Sequence, residues 1–146
     1  AGQLDKTLDR QKAVGKNTES LVINYFKNKQ ETKKVVSFAQ DEVNKGYDIC
    51  VTEANRERHI EIKTAQKYSD NKLSFYISYK ELQVGAQDSN WEILAVVNES
   101  HNNISFHKIN QQLAQQVLKK INQLLQGDGF AIHPQTIRVV VSLEQD

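Results

Sequence analysis

At 146 residues, with 38% hydrophobic and 25% charged residues, one Pro and six Gly, the chain has the composition of one soluble globular domain. Disorder and fibrous repeats are excluded, and no apolar run approaches the roughly 20 residues of a membrane-spanning helix. Net charge is +1, and a single cysteine, Cys50, leaves no disulfide framework and no cysteine-based structural zinc site, so a cytoplasmic setting away from membranes is expected.

Residues 3–29 read as helical with a break near Gly15, and Leu21, Val22, Tyr25 and Phe26 form its apolar face. Residues 1–34 carry eight Lys/Arg against four acids, a basic stretch able to meet phosphates. Glu19 falls inside the apolar arc, towards one edge, where an ionised carboxylate is costly unless paired or metal-bound. Residues 34–39 predict a short strand. Gly46 then opens Tyr47–Thr52, and Glu57–Thr64 follows; both alternate with period two.

Lys72–Ile77 is the next strand. Ser78-Tyr79-Lys80-Glu81 forms a capping box that starts a helix running to Gln87. Trp91–Asn98 reads as a strand buried on both faces. Ile104–Lys108 predicts another strand, and Ile109–Gln126 an amphipathic helix carrying Leu113, Val117, Leu118, Ile121, Leu124 and Leu125, stopped by Gly127-Asp128-Gly129. Thr136–Leu143 is a final strand. The alternation predicts an α/β (α+β) fold with one mixed central sheet flanked by helices, residues 1–146 forming a single domain.

The chemistry concentrates in the second and third strands. Asp48, Cys50 and Thr52 share one face; His59, Glu61 and Lys63 share one face of the next strand. A hairpin with Ala54-Asn55 at its tip sets Asp48 opposite Glu61, with facing Cβ atoms roughly 4.5–5.5 Å apart. Two carboxylates that close repel unless a cation lies between them. Asp48, Glu61 and the backbone carbonyl of Ile62 can hold Mg²⁺ or Mn²⁺, which lowers the pKa of a bound water and neutralises a phosphoryl oxygen. Lys63 can orient that water or stabilise charge on the phosphate, and Glu19 can add a ligand, a hydrogen bond or a base. The competing structural reading is a buried Asp–Lys–Glu salt-bridge network.

Gly46-Tyr47-Asp48-Ile49 followed by Ile60-Glu61-Ile62-Lys63-Thr64 resembles the PD-(D/E)xK nuclease superfamily, which has the restriction-endonuclease-like fold. With Gly15-x-x-x-Glu19 upstream, Ser78-x-x-Glu81-Leu82 downstream and a strand opening on Trp91, the pattern is similar to the NO VEIN C-terminal branch over residues 15–98. The resemblance implies metal-dependent phosphodiester hydrolysis in DNA (RNA is a second candidate), as in restriction or phage defence. Asp48 and Glu61 would be metal ligands, Lys63 catalytic and Glu19 accessory. It also implies a domain carried by a larger, helicase- or restriction-like parent; cutting both strands would favour a homodimer. The alternative is a catalytically silent nucleic-acid-binding module with the same fold.

Lys16 joins the basic stretch, and Lys67, Tyr68 and Lys72, on a loop expected after the catalytic strand, are candidate backbone contacts, with Tyr68 stacking on a base. His59 is expected at the sheet edge and Cys50 as an inert thiol. His101, His107 and His133 show no metal-ligand spacing.

Overall fold

The computed structural model describes residues 18–38, 46–100, 103–126 and 135–143. Gly15, Lys16, His101, His133 and the turn Gly127-Asp128-Gly129 lie outside the described residues, as does the side chain of Leu125. A helix, α1, covers residues 18–27. It is followed by β1 (Thr32–Ser37), β2 (Ile49–Glu53), β3 (Arg56–Ser69), β4 (Lys72–Ser78), α2 (Tyr79–Gln87), β5 (Trp91–Ser100), β6 (Asn103–Asn110), α3 (Gln111–Gln126) and β7 (Thr136–Ser142). The fold is α+β, with one seven-stranded mixed sheet.

The 14-residue β3 is the spine of that sheet. Its first residues pair antiparallel with β2, from Ile49↔Ile60 to Glu53↔Arg56, around the two-residue tip Ala54-Asn55. His59–Ala65 pair with β5, the one parallel ladder recorded among the described strands. Its last residues pair antiparallel with β4, which pairs with β7. β1 lies beyond β2 and β6 beyond β5.

The period-two alternation of β5 divides the core. Trp91, Ile93, Ala95 and Val97 turn to one face, among Leu82 of α2, Ala114 of α3, and Phe75 and Ile77 of β4. Leu94 and Val96 turn to the other, with Val22 and Phe26 of α1 and with Ile49, Val51 and Ile60. Every residue from Trp91 to Val97 is buried, as a strand covered on both faces requires.

Four expectations are corrected. Lys67 and Tyr68 lie on β3, not on a loop, because Gln66↔Ser74 and Lys67↔Leu73 continue the ladder, and Lys72 opens β4 as the strand reading from Lys72 to Ile77 expected. Ile109 belongs to β6, opposite Ile93, so α3 starts at Gln111. Burial on the sheet takes Ile109 out of the helical pattern. Leu21 and Tyr25 stand outside the core at 41% and 39% exposure, and Leu124 at 77%. The inward face of α1 is the narrower Val22–Phe26 stripe.

Gly46 and Gly85 set how closely the chain before β2 approaches α2. Gly46 has φ +82°, and a Cβ there would lie 2.2 Å from Val84 Cγ1. Its carbonyl accepts from Trp91 Nε1 at 3.2 Å, and Trp91 lies so close to Gly85 that a Cβ at that glycine would meet the indole at 2.6 Å. Gly46→Ala should therefore cost about 2–5 kcal/mol, from left-handed backbone strain plus overpacking, in urea unfolding. Because Gly46 lies two residues before Asp48, that variant should also weaken any property that depends on Asp48.

Candidate functional site

The carboxylate pair is assembled at the end of the β2–β3 ladder. Asp48 precedes β2; its N–H donates to Ile60 O at 2.9 Å. Its Oδ2 accepts from the Ile62 N–H at 2.8 Å, so the side chain is held against β3. Burial raises the Asp48 carboxyl above its ordinary range, opposed by that hydrogen bond and by the Lys63 charge.

Glu61 is buried at 4% exposure. Its carboxylate stands 3.3 Å from Lys63 Nζ. Lys63 Nζ also donates to both oxygens of Glu81, at 3.0 and 3.1 Å. Glu81 is fixed from a third direction: the Ser78 N–H donates to its Oε1 at 2.8 Å, and the Glu81 N–H donates to Ser78 Oγ at 3.0 Å. Helix α2 thus begins by aiming a carboxylate at the lysine.

Glu61 and Glu81 share a hydrogen bond that only a proton on one of them can make. Burial first, then Glu81 and Asp48, push the Glu61 carboxyl up to about 10. Glu81 is also penalised by burial, but its bonds to Glu61, Lys63 and Ser78 outweigh that and hold it down at about 2. Both shifts favour the shared proton on Glu61 over Glu81.

Glu19 extends the cluster from α1. Its Oε1 accepts from Ser37 Oγ at 2.8 Å, and its charge reaches Asp48. Asp48, Glu61 and Glu81 therefore gather about one cation, Lys63, with Glu19 next to them on the Asp48 side.

A second buried acid in the same sheet shows what a satisfied carboxylate looks like here. Glu92, also 4% exposed, is held by Arg58 in a bidentate pair at 2.5 and 2.9 Å. Lys108 stands 3.9 Å away. Glu92 takes two hydrogen bonds from a guanidinium that also pairs with Glu53 at 3.0 Å, and has Lys108 nearby, whereas Glu61 shares a single ammonium with Glu81. The donor set around Glu61 is all hard oxygen with surplus negative charge, which fits a hard divalent cation such as Mg²⁺ or Mn²⁺. Asp48 and Glu61 are the residues that would hold it. The Ile62 N–H is engaged by Asp48.

The structure brings Glu19, Asp48, Glu61 and Lys63 together. It sets the weaker nucleic-acid candidates apart on the β3–β4 arm. Lys67 is paired with Glu99 at 3.0 Å. Tyr68, 57% exposed, has Arg138 over its ring at 5.5 Å. Lys72 is exposed. His59 is not at the sheet edge, since its strand pairs on both sides, with Cys50 and with Trp91. Cys50 is only partly buried. His107 lies 3.0 Å from Ser105 Oγ.

Glu81 is the site residue that sequence reasoning missed. The capping box explained it completely as a helix-start residue, and only tertiary structure shows the same carboxylate reaching Lys63.

No helix among the described residues is long and apolar enough to cross a membrane. No curated protein and no solved structure matches the chain significantly. The family model described as Protein NO VEIN, C-terminal, matches residues 18–109, a span that runs from α1 through β6 and contains every member of the carboxylate–lysine cluster. The chain belongs to the NO VEIN C-terminal family.

Proposed function

We propose that this domain is a metal-dependent nuclease of the PD-(D/E)xK type, hydrolysing phosphodiester bonds in DNA. The observation that carries the reading is the imbalance at Glu61: a buried carboxyl that shares one lysine with a second acid, beside Asp48. The Glu-x-Lys strand, the Gly-Tyr-Asp entry and the family membership support it.

Mg²⁺ or Mn²⁺ bound there would supply an acidified water and a positive charge against a phosphoryl oxygen. The protein's own part is positioning. Asp48 is tethered by the Ile62 N–H and keeps acceptor capacity on its carboxylate. Lys63, clamped by Glu81, holds an ammonium beside Glu61, where it can orient the attacking water and oppose charge growing on the phosphate. Hydrolysis forms a bond from water oxygen to phosphorus and breaks the bond to the leaving oxygen, which ends with a proton. Glu19, at the α1 side of Asp48, is placed to accept or relay one.

Titrating Mn²⁺ into the protein and into Asp48→Asn by calorimetry tests the reading without a choice of substrate. The parent should bind and the variant should lose at least roughly tenfold in affinity, the scale of perturbing a metal's surroundings. Equal binding by both sinks the metal assignment.

A second reading has its own observation. Lys63 is already neutralised by Glu81, so the cluster could be a closed network in a module that binds DNA without cutting it. That module would show salt-dependent DNA binding unchanged in Asp48→Asn, and no cleavage by the parent with Mn²⁺.

A further inference from the structure

Two residues further from the acids along both strands, the same sheet face carries a different kind of cluster. Cys50 and His59 are direct partners across β2 and β3. Glu57, two residues before His59, lies on the same face. Cys50 Sγ, a His59 ring nitrogen and a Glu57 carboxylate oxygen all lie within 4.8 Å of one another. The count of one cysteine argued against a cysteine-based structural zinc site, but antiparallel pairing completes a mixed donor set.

The histidine is oriented as metal-binding histidines are. His59 Nδ1 lies 2.6 Å from Asp88 Oδ2. Asp88 is itself fixed, its Oδ1 accepting from the Asn90 N–H at 2.9 Å. With Nδ1–H given to that carboxylate, Nε2 presents its lone pair to Glu57 and Cys50. The Tyr47 ring stacks on the imidazole at 4.3 Å and 3°, and Phe38 meets Tyr47 edge-on, so the plane of the ring is fixed as well. Nε2 stands 3.3 Å from Glu57 Oε2. Two ligands at about 2.0–2.1 Å from a tetrahedral zinc stand about 3.3 Å apart, so that spacing needs no rearrangement.

We propose that Cys50, Glu57 and His59 form a second metal site, for Zn²⁺ or a similar borderline-soft divalent ion, with Asp88 positioning the histidine. Three protein ligands leave the fourth position to water or an exogenous ligand. Thiolate and imidazole select against Mg²⁺ and Mn²⁺, which separates this site chemically from the all-oxygen cluster about 7 Å along the strands. Cys50 binds as thiolate, its proton passing to solvent. The site ties β2 to β3 and to the end of α2, and it does not depend on the nuclease reading.

Co²⁺ titration followed by absorption spectroscopy tests it. Cys50 is the chain's one cysteine, so a thiolate-to-cobalt charge-transfer band can come from no other residue. The parent should develop that band together with visible bands of a tetrahedral ion, saturating at one equivalent and bleached by Zn²⁺. His59→Gln should abolish tight binding, Asp88→Asn should weaken it roughly 10–100-fold, and Asp48→Asn should leave the band intact. A parent without the thiolate band at saturating Co²⁺ overturns the proposal, as does a band that His59→Gln leaves at full strength.

Discussion

Replacing Lys63 with Met should lower DNA cleavage by at least roughly 10²–10³-fold, the scale of removing one preorganised electrostatic donor. The same change should cost about 3 kcal/mol of stability, the low end for breaking a buried ion pair. The lysine side chain is 16% exposed and touches two acids, so little solvent screening relieves the loss. The cost stays at the low end because Glu81 keeps the Ser78 N–H and Glu61 keeps its proton. Activity at saturating Mn²⁺ and urea unfolding, measured on the same preparation, separate the two effects. Cleavage within a factor of a few of the parent would deny Lys63 its catalytic role, whatever the stability does.

Glu81→Gln is the informative companion. It retains a side chain able to cap α2 but removes the charge that clamps Lys63, and it frees the lysine for other partners. Activity should fall less than in Lys63→Met. A larger fall would make Glu81 more than a positioning residue for the lysine.

The parts of this site that were legible in the sequence are those set by local rules. Period-two alternation put Asp48, Glu61 and Lys63 on one face, and a two-residue tip fixed the register, because slipping it by one would have turned Ile49, Val51 and Ile60 to the wrong side. The capping box was legible because its two hydrogen bonds join residues three apart. What remained hidden depends on pairing between distant strands. The extension of β3 to Ser69 comes from β4, since Gln66, Lys67 and Tyr68 have no apolar alternation of their own. The second role of Glu81 and the Asp88–His59 contact require α2 to be folded back beside β3. Leu21, Tyr25 and Leu124 misled for the opposite reason: apolar character at helical spacing predicts a wider buried stripe than the neighbouring elements cover.

In chelator, raising the pH from about 5 to 9 should destabilise the parent relative to Glu61→Gln. The buried Glu61 carboxyl holds its proton up to about 10 in the folded protein, whereas an unfolded glutamate releases it near 4.3. Between those values the folded state binds the extra proton, so the stabilisation is complete below about 4.3 and is lost as pH rises, by at most about 1.4 kcal/mol per pH unit. Glu81, held at about 2, acts in the opposite sense and only below the ordinary carboxylate range, outside this interval. A glutamine at 61 stays neutral at every pH and can still donate to Glu81, so its stability should lack the slope. Mn²⁺ should flatten the parent's profile, since a cation beside Glu61 favours the ionised carboxylate, and should leave the variant's unchanged. Parallel profiles for the two proteins in chelator would mean that Glu61 is ionised in the fold. The surplus negative charge beside Lys63 would then be larger by one, and the proton shared between Glu61 and Glu81 would be ruled out.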